Sequence, residues 1–435
     1  MVQRFLFNII SGGLPFGLTI FVGGILTIKT KFYQVKNFKK SMMLIARQNG
    51  TGISGFSAMC NSLSAAIGTG NIVGVAAAIA VGGPGAVFWM WISAFLGMVI
   101  KSAEIALGVF YRQKTCENFS GGPHYYIKNA LPKKFNFLAV LFSAFGVLAA
   151  FFCGNMTQIN SALSSLSNGS FLKVLVGVFS AIITAWVIGG GVRKIASFLS
   201  KILPFMAVLY VALCMGVVLK NISALPSVFY NIFVGAFYPK AVTGGAVGSV
   251  FVAVSVGASK GIFSNEAGVG TAAVAHGMVN KVNPQTESLY GIFEVFVDTI
   301  LLCTLTALTI LSSGVIIEYN STPSSALTIA ALSSLYGGCS AQILNVMLWL
   351  FGISSVIGWA TYGISFSEFL MGRFGKQVFV KIYPLFCVFG ALISGEIIWR
   401  LAELFNGVLV IINLFVITLL LKKCIILLKG NCNDK

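Results

Sequence analysis

Hydrophobic positions in this chain run in long unbroken stretches. Asp, Glu, Lys and Arg are absent between Arg47 and Lys101, between Lys134 and Lys173, and between Glu318 and Glu368. Roughly 20 apolar residues cross a bilayer as a helix. The pattern therefore predicts spans over about 8–28, 54–81, 84–111, 137–165, 171–189, 198–219, 245–275, 288–312, 340–366, 378–395 and 402–421. The fold class expected is an all-α polytopic membrane protein of about eleven transmembrane helices. With the first span set aside, ten remain, five and five, and an odd number per half gives the halves opposite orientations. The organisation expected is an extra helix with a basic segment (1–53), a first five-helix repeat (54–220), an external connection (221–244), a second repeat (245–421) and a tail (422–435).

In inverted repeats of this kind the first helix of each half breaks near the midplane. Both candidate helices carry weak points. The span 54–81 contains Gly68-Thr69-Gly70-Asn71, and 245–275 contains Gly257, Gly261, Gly268 and Gly270 around Ser264-Asn265-Glu266. Clustered glycines lower the cost of unwinding, but in lipid the freed backbone groups need partners. Exposed N–H groups at a half-helix N-terminus suit a carboxylate, and exposed carbonyls at a C-terminus suit an ammonium or Na⁺. Close helix packing is the other use of membrane glycines. The amide of Asn71 and the matched breaks favour a ligand site. A phosphate-cradling loop is excluded, because the stretch lacks the flanking strand and the spacing.

Composition sharpens this picture. The chain is 57% hydrophobic and 9% charged, where a soluble domain carries about a quarter charged residues. Its +18 net charge suggests nucleic acid until its distribution is considered. With the N-terminus outside, 21 of the 29 Lys and Arg fall on the cytoplasmic side and four outside. That is the positive-inside bias, expected of a multi-pass protein of the inner (plasma) membrane with its N-terminus out and C-terminus in. No nucleic-acid partner is expected, and oligomeric state is left open. No cleavable leader is expected either. The nine cysteines contain no CxxC pair and read as packed thiols. The segment from Lys29 to Gly50 is basic and partly amphipathic. It either lies against lipid headgroups or forms a solvated loop. Phe88, Trp89 and Trp91 read as interfacial anchors.

Ionisable residues inside spans are costly and mark function by default. Lys101 and Glu104, three apart, read as a structural pair. Lys260 and Glu266 flank the second break, and Glu294 and Asp298 are spaced i, i+4 on the following helix. One of these acids is expected to neutralise Lys260, and a proton relay through Glu294 or Asp298 is the alternative role. His124 is expected in a cytoplasmic loop and His276 at a helix end, too far apart for a metal site. Neither a nucleophile–base set nor a nucleotide-binding motif is present. The expectation is a transporter driven by an ion gradient, and not an enzyme.

Five stretches carry a further signal: GTGNIVGVAAAIAVGGPGAVFWMW from Gly68, GGPHYYI over 121–127, GNMTQINS over 154–161, KGIFSNEAGVG over 260–270, and Gly358-Trp359. Together they resemble the alanine/glycine:cation symporter family over about residues 20–420. The resemblance implies a leucine-transporter-like fold and import of small neutral amino acids, alanine and glycine, with Na⁺ as coupling ion. A proton, or another small solute on the same fold, is the alternative. It further implies that Gly68, Thr69, Gly70 and Asn71 contact substrate together with Gln158, Ser264, Asn265 and Trp359. Carbonyls near Ser64 and Ile67 would meet the hydroxyls of Ser354 and Ser355 around a sodium ion, and oxygen ligands suit that hard cation. Ionic support would come from Lys260, Glu266, Glu294 and Asp298. Two positions depart from the family pattern: His124 stands for methionine, and Ile364 for an acid.

Overall fold

The computed structural model describes residues 9–45, 53–114, 119–164, 166, 171–280, 282–319 and 325–430. Helices dominate, and the strands among the described residues are one short antiparallel pair, Gln113–Lys114 with Phe119–Ser120. The elements that frame the site are α1 (Leu14–Lys29), α2 (Gly55–Ala66), α3 (Val73–Gly82), α4 (Gly85–Phe110), α5 (Pro123–Ala130), α6 (Asn136–Phe151), α7 (Thr157–Ala162), α8 (Phe171–Ile188), α9 (Gly191–Lys220), α10 (Leu225–Phe237), α11 (Val250–Asn265), α12 (Thr271–Gly277), α13 (Pro284–Val295), α14 (Thr304–Ser312), α15 (Ser340–Ile382), α16 (Leu385–Leu392) and α17 (Gly395–Leu419). Among the described residues, seven helical stretches are long and apolar enough to cross a membrane, and α2 with α3 forms an eighth if counted as one bent span.

Helix starts follow local chemistry. Ser54 Oγ accepts from Ser57 N at the head of α2 (3.1 Å), and Ser249 Oγ accepts from Phe251 N at the head of α11 (3.1 Å). Asn283 Oδ1 accepts from Gln285 N (2.8 Å) where Pro284 opens α13. Such caps satisfy donors that the first turn leaves free. Two π-helical segments interrupt otherwise regular spans: Phe152–Met156 between α6 and α7, and Phe296–Cys303 between α13 and α14. π-segments concentrate at functional sites, and both border the candidate site here.

The stretches 340–366 and 378–395 were expected as separate spans. The first lies in α15 ahead of a kink at Met371 and Gly372, where Gly372 has φ +60°, and the second runs from the end of α15 through α16. The stretch 221–244, expected as an external connection, is largely helical, through α10. Phe88 and Trp91 pack on Phe233 of α10, and Trp89 Nε1 donates to Ala236 O (3.1 Å). These rings hold α10 against α4.

Burial ranks the helices. The apolar window of α4 is 83% buried, against 28% for α8, so α4 is the central post and α8 a peripheral helix. α8 turns Phe171, Ile182 and Trp186 outward, as suits a hydrocarbon surround. Against α4 pack α11, α12 and α13, which bring the second break and the acidic helix together.

Candidate functional site

The first break lies between α2 and α3, whose axes bend by 58°. Its cause is visible in the hydrogen bonds. Ile67 N still donates to Leu63 O (2.7 Å). The next two amides are diverted to side chains: Gly68 N donates to Asn71 Oδ1 (3.2 Å), and Thr69 N donates to Gln158 Oε1 (2.9 Å). Thr69 Oγ1 donates to the same Gln158 oxygen (3.0 Å). The carbonyls of Ser64 and Ala65, which those amides would have met in a continuous helix, are released. Ser355 Oγ donates to Ala65 O (2.8 Å), and Ser64 Oγ is buried with no partner. A Cβ on residue 68 would lie 2.5 Å from Gln158 Oε1, so only glycine lets the glutamine approach.

The second break repeats the device. Glu266 takes a left-handed conformation (φ +56°), and the chain runs through Gly268 (φ +94°) and Gly270 (φ +87°) before α12 begins. Asn265 Oδ1 accepts from Ala267 N (3.0 Å), which frees the carbonyl of Phe263 from its helical partner. The two breaks touch: Phe263 Cδ1 lies 3.7 Å from where a Cβ on Gly70 would sit. They are also bonded through Asp298 on the π-segment. Its Oδ1 accepts from Asn71 Nδ2 (2.7 Å), and its Oδ2 accepts from Ser264 Oγ (2.8 Å) and Thr299 Oγ1 (2.8 Å).

The expected residues thus converge, with exceptions. Gly68, Thr69, Gly70, Asn71, Gln158, Ser264, Asn265 and Asp298 form one buried cluster. Trp359 packs on Gly154, where a Cβ would be 2.2 Å from its Cγ, and its indole lies beside Glu266. Ile67 ends α2. Ser354, unlike Ser355, donates to Phe351 O in its own helix (2.9 Å) and faces the Met206 sulfur. Lys260 is not neutralised by Glu294 or Asp298. It reaches outward to Glu403 on α17 (2.8 Å), where both side chains are partly exposed. Nor do Lys101 and Glu104 pair with each other. Lys101 Nζ lies 3.1 Å from Glu294 Oε2, while Glu104 Oε1 accepts from Asn413 Nδ2 (2.7 Å). Each takes a partner across a helix interface, because partners on neighbouring helices can meet the charge head-on.

Around Glu294 lies a network not anticipated from sequence. Ser62 Oγ donates to its Oε2 (2.6 Å), and His276 Nε2 sits 2.6 Å from its Oε1. The other ring nitrogen of His276 lies 2.6 Å from Glu287 Oε1. An imidazole that donates through both nitrogens is the imidazolium. His276 does end a helix, as expected, but fully buried between two carboxylates. The available signal was spacing: Glu287, Glu294 and Asp298 stand at i, i+7 and i+11, one face of a helix. Among the described residues, the fully buried carboxylates are Glu104, Glu266, Glu287, Glu294 and Asp298, and the buried bases near them are Lys101 and His276. Such an excess of buried acid calls for further positive charge, as a proton or a bound cation.

On one side, a cavity of about 1210 Å³ is walled by Ser120, Ile364, Ser365, Glu368, Arg193 and Arg373, among others. Both departures from the family pattern meet here. Ile364 forms part of the wall, and His124 Nε2 lies 3.3 Å from Ser365 Oγ. His124 is no solvated loop residue. It is fully buried in α5 against Phe366 and Phe369, and burial pushes its pKa down to about 3, leaving it neutral. Ile364 follows Trp359 by five residues, about 7.5 Å along the helix, so the cavity approaches the site from below.

Comparison with known proteins bears on the family and the fold. The model of the sodium:alanine symporter family matches residues 4–434. The sodium/alanine symporter AgcS of Methanococcus maripaludis is 36% identical over 421 residues, covering 93% of this chain and 92% of its own. The probable sodium/glutamine symporter GlnT of Bacillus subtilis is 36% identical over 418 residues, covering 94% and 86%. Among solved structures, MhsT in complex with L-phenylalanine superposes with a TM-score of 0.61 at 14% identity, over 84% of this chain and 89% of that one. The fold is leucine-transporter-like.

Proposed function

This chain belongs to the sodium:alanine symporter family, and from that premise we propose that it imports a small neutral amino acid, alanine or glycine, at the junction of its two broken helices. It is a multi-pass membrane transporter and not an enzyme. The observation that carries the site is the pair of diverted amides at Gly68 and Thr69. Gln158 Oε1, accepting from Thr69 N and Oγ1, occupies the position of a substrate carboxylate oxygen. Entry of the substrate replaces one acceptor with another. The freed carbonyl of Phe263 suits the ammonium, and Trp359 closes the remaining side, which favours a short side chain.

Na⁺ is the coupling ion in this reading. It sits at the carbonyl end of α2, where Ser64 and Ile67 supply backbone oxygen, Ser64 Oγ lacks a partner, and Ser355 stands across on α15. The chain divides into an extra helix and two inverted five-helix repeats, with the N-terminus outside and the C-terminus inside. Na⁺ bridging α2 and α15 favours the outward-open state, substrate closes the outer path, and release follows through the cavity below Trp359. GlnT gives a second reading: a substrate of larger side chain at the same site.

Labelled-alanine uptake into proteoliposomes tests this, with an inward Na⁺ gradient, an inward H⁺ gradient, or neither. Concentrative uptake with Na⁺ is expected. Asn71→Ala and Trp359→Ala are each expected to abolish it while leaving membrane insertion intact. Uptake driven by protons alone moves the coupling site to Asp298 and Glu294, and normal uptake in both variants removes the site.

A further inference from the structure

Lys101 is a buried lysine in the middle of the central helix, 1% exposed. A buried ammonium is costly unless its geometry returns most of its hydration. Its contacts are specific. Nζ donates to Asn265 O (2.9 Å), the last residue of α11 before the second break, and lies 3.1 Å from Glu294 Oε2. Glu266 and Asp298 are the other carboxylates near enough to act on it. The ammonium therefore sits on the carbonyl end of a half-helix, the negative pole of its dipole.

The first break offers the contrast. There the carbonyl end of α2 meets only neutral groups: Ser355 Oγ on Ala65 O, and a Ser64 hydroxyl without a partner. One half-helix end is thus open to a mobile cation, and the other holds a tethered one. We propose that the Lys101 ammonium is a built-in cation for the second break, a positioning residue that fixes the backbone at Asn265 and takes the place of one coupling ion. The proposal rests on the reading that both breaks form the transport site. Glu294, held from its other sides by Ser62 and His276, balances the ammonium and aims it. Transport chemistry then needs one cation fewer than a chain with an alanine at 101.

The test compares wild type, Lys101→Ala and Lys101→Met in proteoliposomes for the Na⁺ dependence of alanine uptake. Lys101→Ala leaves room for an ion. Its Hill coefficient for Na⁺ is expected to rise by about one, since that coefficient is bounded by the number of sites. Its alanine KM is expected to rise about tenfold or more at the Na⁺ concentration that saturates wild type, the weight of a charge-assisted hydrogen bond, and to recover at higher Na⁺. Lys101→Met fills the space with an apolar chain and is expected to transport at no Na⁺ concentration. Unchanged Na⁺ dependence in Lys101→Ala, or identical behaviour of the two variants, overturns the proposal while wild type still couples to Na⁺. A wild type without Na⁺-driven uptake overturns the coupling reading and this inference together. If Lys101→Ala does not reach the membrane, Lys101→Ala/Glu294→Gln is measured against Glu294→Gln, which leaves no uncompensated carboxylate at 294. Failure of that double variant to insert also overturns the proposal, because the ammonium would then serve folding alone.

Discussion

An alanine at position 68 would put its methyl carbon 2.5 Å from Gln158 Oε1. The methyl cannot retreat, because it hangs from the backbone at the break, so the glutamine must swing away from Thr69. Two hydrogen bonds go with it, from Thr69 N and Oγ1. A substrate carboxylate oxygen taking the glutamine's place would meet the same methyl, so the two bonds are lost to the substrate as well, and groups left unpaired at a buried site cost about 1–3 kcal/mol each. Gly68→Ala is therefore expected to lower kcat/KM for alanine by about a hundredfold, with the same amount of protein in the membrane. Uptake kinetics alongside detergent size-exclusion of the variant check this. Wild-type kinetics in Gly68→Ala would mean that the glutamine does not hold the substrate's place. Gly154 tells a related story, since it makes the space in which the Trp359 ring lies.

At the scale of elements, the two breaks were legible and the charge network was not. A break has a local cause: glycines and an asparagine in an apolar run. In both breaks the asparagine acts as that cause requires, with Asn71 Oδ1 and Asn265 Oδ1 each taking an amide away from the helix. The partners of Lys101 and Lys260 come from helices far along the chain, and spacing within one helix says nothing of them. Hence Lys101 pairs with Glu294 and Lys260 with Glu403, where the sequence had suggested Glu104 for the first and Glu294 or Asp298 for the second. The acidic stripe on α13 and its π-segment was present in the sequence, but its meaning depended on His276 arriving between two of its members. The cation end of α2 yields a prediction of its own. Ser355 supplies a hydroxyl beside Ala65 O (2.8 Å), whereas Ser354 is spent on its own helix. Ser355→Ala should raise the Na⁺ concentration for half-maximal uptake about tenfold, while Ser354→Ala shifts it far less. Equal shifts would place the ion elsewhere.

For the whole molecule, two asymmetries point the same way. With the N-terminus outside, as proposed, the basic residues gather on the cytoplasmic side of the spans, and the large cavity opens between Arg193, Lys114 and Arg373, which fall on that side. Asn71 and Gln158 above it are buried. In the orientation proposed above, a cavity on the basic side and a closed site above it describe a molecule turned toward the cytoplasm. If Na⁺ favours the outward state, adding it must shrink that cavity, because a ligand shifts a two-state equilibrium only through its preference for one state. Cys339 provides a fixed reference: it is exposed, in the turn that precedes α15 at the end away from the cavity. With Cys116 and Cys432 replaced, an impermeant thiol reagent should label Cys339 from outside in intact cells, at a rate that ignores Na⁺. A second thiol introduced as Glu368→Cys, in the cavity wall, should react only from the cytoplasmic face of inverted vesicles. Its labelling should slow several-fold when Na⁺ is added without substrate. Labelling of Cys339 only from the cytoplasmic face would invert the orientation. A Glu368→Cys rate indifferent to Na⁺ would mean that the ion binds without choosing between the two faces.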